Sequence, residues 1–192
     1  MKSTPLYIFI LMLIFMTSCS ESSTSSFPYD IPQGQDPQNT TYYFLRHAEK
    51  DTSQPQEKDP HLTEEGLRRA NYMAAYFADK DLDLFYSTDY SRTLQTLIPI
   101  VHKFEGTIQS YNAQKDTLFT EEFWKETYGK NVIVVGHSNT NPKFVNQIIS
   151  EKKYQDLDES NYDVFFKVEV EKDLSVKDSM ITREVPEDFT YN

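Results

Sequence analysis

The stretch Thr41-Tyr42-Tyr43-Phe44-Leu45-Arg46-His47 indicates the fold. Residues 41–45 are β-branched, aromatic or aliphatic without polar alternation, as expected of a strand that is buried on both faces. A second run, Asn131-Val132-Ile133-Val134-Val135, has the same character and ends at Gly136-His137. The chain therefore has two buried strands, each followed closely by a histidine.

Other strands and helices alternate around these two runs. Thr63 has the side chain of a helix N-cap, and acidic residues follow it in the first turn. Further helices are predicted over 91–101, with an end or break near Pro99, and over 120–128 and 139–149, and further strands over 83–87, 107–111, 162–170 and 176–185. This alternation predicts an α/β fold, a three-layer sandwich with a largely parallel central sheet and helices on both faces.

Composition excludes several classes of protein. The chain has 192 residues, enough for one ordinary domain, and a formal net charge of −11. Phosphate backbones would repel so acidic a protein, so we expect no nucleic-acid partner. With Cys19 as the single cysteine, neither a disulfide framework nor a zinc site made of cysteines can form.

The first residues are typical of an export signal. Lys2 precedes an apolar run, Leu6 to Met16, which is too short to cross a bilayer as a helix. The segment resembles a bacterial lipoprotein signal, which implies cleavage before Cys19 and lipidation of that residue. We therefore predict a signal peptide at 1–18, a flexible tether at 19–40 and a folded domain at 41–192.

Two histidines and two arginines are expected at one edge of the sheet. His47 and His137 follow strands, Arg46 accompanies the first, and Arg92 lies in the first turn of a helix after another strand. Ligands of open α/β sheets bind beyond the carboxyl ends of the strands, and helix N-termini favour anions. Guanidinium groups offer paired donors to phosphate oxygens, so the pattern predicts a pocket for a phosphoryl group.

Four motifs resemble those of the histidine phosphatase superfamily, in its phosphoglycerate mutase-like branch. They are Leu45-Arg46-His47-Ala48-Glu49-Lys50, Leu62-Thr63-Glu64-Glu65-Gly66, Tyr86-Ser87-Thr88-Asp89-Tyr90-Ser91-Arg92-Thr93-Leu94-Gln95-Thr96 and Val134-Val135-Gly136-His137-Ser138-Asn139. The resemblance covers residues 41–150. It implies a phosphoglycerate mutase-like fold, with His47 as the nucleophile that becomes phosphohistidine and Arg46, Arg92 and His137 as ligands of the phosphoryl oxygens.

Other site residues follow less directly. We expect Glu49, Ser138 and Asn139, beside the two histidines, to contact substrate. In longer members of the family a Glu or Asp protonates the leaving group, and here Asp116, Glu121 and Glu49 are the candidates. Short members that act on phosphohistidine need no such acid. Ala48, Asp89 and Thr93 depart from the family pattern, but none of them removes a functional group.

The sequence thus predicts a histidine acid phosphatase-type phosphohydrolase that uses neither metal nor cofactor. Its substrate is expected to be a small phosphomonoester or phosphohistidine. The protein is expected to be a monomer or weak dimer, exported to the periplasm or cell surface and held at the membrane through Cys19. The alternatives are a catalytically idle lipoprotein that binds a phosphorylated ligand, and a purely structural lipoprotein.

Overall fold

A computed structural model of the chain describes residues 27–191. The predicted signal peptide, Cys19 and residues 20–26 lie outside this range and stay predictions. The elements within it are β1 (Thr40–Arg46), α1 (Glu64–Phe77), β2 (Leu84–Ser87), α2 (Ser91–Phe104), β3 (Ile108–Ser110), α3 (Glu121–Thr127), β4 (Asn131–Gly136), α4 (Thr140–Ile148), β5 (Val164–Val170) and β6 (Val176–Thr182). None of these helices is both long enough and apolar enough to cross a membrane.

The strands of residues 27–191 form one six-stranded sheet in the order β3-β2-β4-β1-β5-β6. The first four strands of that order are mutually parallel, whereas β5 and β6 run antiparallel at one edge. The carboxyl ends of β1, β2, β3 and β4 therefore meet at the same edge of the sheet. The predicted largely parallel sheet and closing hairpin are confirmed.

Alternate side chains of the central strands fill two cores, one on each face. Tyr43 and Leu45 of β1 pack with Phe77 of α1 and Leu97 of α2. Their neighbours Tyr42 and Phe44 point to the opposite face, which α3 and α4 cover; the residues that these helices bury there include Trp124, Phe144, Val145 and Ile148. Because β1 and β4 are buried on both faces, they lack polar alternation, and the predicted three-layer sandwich is confirmed.

The predicted cap of the first helix is present, and it explains why glycine follows. The Thr63 hydroxyl oxygen accepts a hydrogen bond from the Gly66 backbone N–H at 3.0 Å. A Cβ atom at Gly66 would lie 2.3 Å from the Glu49 carbonyl oxygen. The absence of a side chain therefore lets α1 approach the segment that follows β1 and fixes the position of that segment.

Two predictions about the fold are wrong in part. Residues 27–39 do not form a flexible tether, because the ring of Phe27 packs 4.7 Å from that of Trp124, whose indole N–H donates to the Asp30 carbonyl oxygen at 2.8 Å. In addition, α2 continues through Pro99 to Phe104. Apolar burial on both sides of this proline offsets the backbone hydrogen bond that it cannot make.

Candidate active site

Strand register brings the two predicted histidines together. Arg46 on β1 pairs with Gly136 on β4, and the His47 N–H donates to the Gly136 carbonyl oxygen at 2.9 Å. The next residue after each strand is then His47 or His137, and their ring centroids lie 5.5 Å apart. A Cβ atom at Gly136 would lie 2.4 Å from the Asn141 side-chain oxygen, so only glycine fits between the strand and α4. The sheet itself therefore positions both imidazoles.

His47 is held in the form that a nucleophile needs. Its Nδ1 lies 2.8 Å from the Ala48 carbonyl oxygen, which can only accept, so Nδ1 carries the proton and Nε2 the free lone pair. Burial lowers the pKa of His47 to about 3, and the positive charges of Arg46 and Arg92 act in the same direction. At neutral pH the imidazole is therefore neutral.

His137 lies in a similar environment but has a side-chain partner. Its Nε2 lies 3.1 Å from the Thr88 hydroxyl, at the carboxyl end of β2. Burial lowers the pKa of His137 to about 4, with further contributions from Arg92, Arg46 and Lys50. The site therefore holds two neutral imidazoles among permanent positive charges, an arrangement suited to an anionic substrate.

Arg46 is covered by residues 156–163, called here the covering loop, which leads into β5. Its Nη1 donates to the carbonyl oxygens of Asp158 and Asn161 at 3.0 and 3.1 Å, and its Nη2 donates to Glu159 at 2.7 Å. The Tyr162 ring lies 4.3 Å from the guanidinium carbon. The Arg46 side chain is consequently 0% exposed, and its buried Nε–H has no hydrogen-bond partner within residues 27–191.

Arg92 lies at the other side of the site, next to a second carboxylate. The N-terminus of α2 receives Asp59, whose side chain accepts hydrogen bonds from the Ser91 N–H and hydroxyl, each at 2.8 Å. The same carboxylate lies 3.5 Å from Arg92 Nη1, and the Tyr90 ring lies 4.3 Å from the guanidinium carbon. The helix N-terminus predicted to favour a substrate anion is therefore occupied by Asp59.

These groups surround a cleft of about 1220 Å³. Three of the four predicted catalytic residues, His47, Arg92 and His137, are in its wall, and so are Ser138 and Asn139. Arg46 is not, because the covering loop screens it. The volume is sufficient for a small phosphorylated molecule.

Some predicted residues lie elsewhere. Glu49 is not a wall residue of the cleft: its carboxylate forms paired hydrogen bonds with Arg69, which also binds Asp163 at 2.6 Å. Of the candidate proton donors, Glu121 pairs with Lys125 on the surface of α3, and Asp116 is not in the cleft wall. The placement of these residues does not support the prediction that they bind substrate or donate a proton. Glu49 is paired with Arg69 of α1, and Glu121 lies on the surface of α3.

The structure also adds residues that the motifs did not single out. Lys50 and Thr88 line the cleft, and both lie inside the quoted motifs, so their place in those motifs was the available signal. Asp59, Glu159 and Tyr162 come from loops without a periodic or motif pattern. In residues 27–191, no three His, Cys, Asp or Glu side chains converge as they would to hold a metal ion.

Comparison with known proteins agrees with this geometry. Residues 42–116 match the histidine phosphatase superfamily (branch 1), whereas no curated protein matches the chain. Solved structures share the fold at low identity. Phosphoglycerate mutase from Bacillus anthracis is 14% identical with a TM-score of 0.59, over 77% of this chain and 95% of that one.

Two further structures are similar to the same extent. Phosphoserine phosphatase from Entamoeba histolytica is 14% identical with a TM-score of 0.56, over 76% of this chain and 98% of that one. A mycobacterial glucosyl-3-phosphoglycerate phosphatase is 10% identical with a TM-score of 0.53, over 78% of this chain and 100% of that one. The phosphoglycerate mutase-like fold is confirmed, and the match of residues 42–116 to the superfamily covers less than half of the chain.

Proposed function

We propose that this chain is a member of the histidine phosphatase superfamily and a phosphatase that uses His47 as its nucleophile. The observation that carries the proposal is the hydrogen bond from His47 Nδ1 to the Ala48 carbonyl oxygen, 2.8 Å long. It leaves the Nε2 lone pair for phosphorus, in a ring that burial keeps neutral. The superfamily match supports phosphatase activity in general.

The reaction proceeds through two displacements at phosphorus. Nε2 of His47 forms a bond to phosphorus as the bond to the leaving oxygen breaks, and a water molecule then releases phosphate from the phosphohistidine. We define the phosphate floor as Arg46, His47, Arg92 and His137; His47 is its nucleophile, and the other three residues supply the donors for the phosphoryl oxygens. Lys50, also in the cleft wall, adds positive charge.

Release of phosphate from p-nitrophenyl phosphate tests the proposal. We expect turnover by the wild type, competitive inhibition by vanadate, and loss of turnover in His47→Ala. His102→Ala is the matched control, because His102 lies in the last turn of α2, outside the cleft wall. Equal rates for the wild type and His47→Ala would contradict the enzyme and favour a protein that binds phosphorylated ligands without turnover.

We also propose that the protein is exported and held at a membrane by a lipid on Cys19. The apolar run before this residue and the small residues beside it support the proposal. A Cys19→Ser variant should leave the membrane fraction of cells, whereas the wild type should be solubilised only by detergent. Equal distribution of the two proteins would contradict the anchor.

A further inference from the structure

The covering loop places a carboxylate directly on the phosphate floor. Glu159 Oε2 lies 2.7 Å from Arg46 Nη2, while its Oε1 accepts a hydrogen bond from the Ser138 hydroxyl. Glu159 is also a wall residue of the cleft that contains His47 and His137. Its side chain is 71% exposed, so it can exchange protons with solvent.

The charge balance around Glu159 changes when a phosphoryl group binds. Without substrate, the Ser138 hydrogen bond and the charges of Arg46 and Lys50 hold the pKa of Glu159 below its usual range. The proposed function requires a dianionic phosphoryl group to bind the same Arg46 guanidinium, which the covering loop must then release; its Nε–H is unpaired among the described residues. A second anion beside the same cation disfavours the charged form of the carboxyl group, so substrate binding raises the affinity of Glu159 for a proton.

We infer that Glu159 is the catalytic acid that protonates the leaving group, a role that rests on the proposed phosphatase function. As His47 Nε2 bonds to phosphorus, the bond from phosphorus to the ester oxygen breaks, and its electron pair goes to that oxygen. The oxygen takes the proton of the Glu159 carboxyl group, which leaves an alcohol and a carboxylate. Substrate binding thus favours protonation of Glu159, and the reaction then uses that proton.

The same carboxylate serves the second displacement. A water oxygen bonds to phosphorus, and one of the water protons passes to Glu159. The nitrogen–phosphorus bond breaks, its electron pair returns to His47 Nε2, and phosphate leaves. Glu159 has then given one proton to the alcohol and taken one from water. When phosphate departs, Glu159 releases this proton to solvent, and its carboxylate binds Arg46 again.

A Glu159→Gln variant tests this role with two esters that differ in the need for a proton. Glutamine keeps one oxygen that can accept from Arg46 and gains an amide N–H that can donate to the Ser138 hydroxyl oxygen, but it carries no acidic proton. We expect turnover of glycerol 2-phosphate, whose alkoxide is a poor leaving group, to fall roughly 10²-fold or more. Turnover of p-nitrophenyl phosphate, whose phenolate leaves without protonation, should fall less than about 3-fold.

The matched control is Glu151→Gln, which removes one exposed carboxylate between α4 and the covering loop, outside the cleft wall. It should leave both rates unchanged. Equal losses on both esters in Glu159→Gln, no loss on either, or a change in KM alone would overturn the acid role while the phosphatase stands. If the wild type releases phosphate from neither ester, the phosphatase function falls, and the role of Glu159 with it.

Discussion

His47 and His137 lie on strand ends in the interior, whereas Glu159 and Tyr162 lie on a loop that is largely open to solvent. Hydrogen bonds of the sheet fix the two histidines, as the 2.9 Å contact from the His47 N–H to Gly136 shows. The covering loop is held by its contacts with Arg46 and, through Asp163, with Arg69. Sheet hydrogen bonds set the first region, whereas side-chain contacts and isolated backbone hydrogen bonds, such as that from the Leu157 N–H to the Ser138 carbonyl oxygen, hold the second.

The difference matches two tasks that the proposed mechanism assigns to the site. Groups that attack phosphorus and stabilise its charge gain from rigid positions, because they need no reorganisation during the reaction. Arg46 must exchange the Glu159 carboxylate for the phosphoryl group, and this exchange is easier when Glu159 lies on a loop whose local opening costs little free energy. Arg46 belongs to both regions, since it ends β1 and binds the covering loop. Substitutions at and around this residue test the comparison.

The largest effect is expected for Arg46→Ala. It removes a proposed phosphoryl ligand and also the anchor of the covering loop, so kcat/KM for p-nitrophenyl phosphate should fall roughly 10²–10³-fold. Arg183→Ala is the control, because that guanidinium lies over Tyr76, 5.0 Å from its ring centre, and not in the cleft wall. A loss smaller than about 10-fold would assign Arg46 to the loop alone.

Arg69→Met should act on stability more than on turnover. Arg69 pairs with Glu49 and Asp163, and its removal leaves the Glu49 carboxylate, 19% exposed, without its partner. The free energy of unfolding in urea should fall by about 2 kcal/mol. Lys125→Met, which breaks an exposed pair with Glu121, should cost less than about 0.5 kcal/mol. Similar losses in the two variants would show that Arg69 does not brace the loop.

Tyr162→Leu should have a smaller effect on turnover. The Tyr162 ring lies 4.3 Å from the Arg46 guanidinium carbon, and loss of such a contact is worth about 1 kcal/mol, or roughly a 5-fold drop in kcat/KM. Tyr162→Phe keeps the ring face and should retain nearly full activity. If phenylalanine and leucine impair the enzyme equally, the ring face is not what holds Arg46.

The smallest expected effect concerns pH and the rigid region. Burial lowers the pKa of His47 to about 3, far below its ordinary value of 6.5. Below pH 6.5 the unfolded chain therefore binds a proton at His47 that the folded chain refuses, and stability falls as the pH drops toward 3. Between pH 7 and pH 6 the wild type should lose about 0.7 kcal/mol more than His47→Gln. Parallel urea titrations of the two proteins measure this difference, and identical losses would contradict a buried neutral histidine.

The sequence predicted the rigid region well. A buried strand such as Asn131–Gly136 has a clear pattern, and parallel strands bring their carboxyl ends together, so His47, His137 and Arg92 could be placed at one edge. Thr63 could likewise be assigned as a cap from its residue type and the acids that follow it.

The covering loop could not be predicted, and the reason is physical. Residues 156–163 have no periodicity, and Glu159 reaches Arg46 across 113 positions of the chain. Glu49 was misplaced for a related reason: its partner Arg69 lies on α1, and a motif does not show which way a side chain turns. Long-range pairing of charged side chains depends on tertiary packing, which short patterns do not encode.

The central claim is that His47 carries the phosphoryl group, and trapping the intermediate tests it most directly. The wild type is mixed with excess p-nitrophenyl phosphate, quenched in alkaline denaturant during turnover, digested and examined by mass spectrometry. We expect an acid-labile, alkali-stable phosphoryl group on the peptide that contains His47, and none in His47→Ala. A phosphoryl group on Thr88, Ser138 or His137, or turnover without any phosphorylated peptide, would contradict the account.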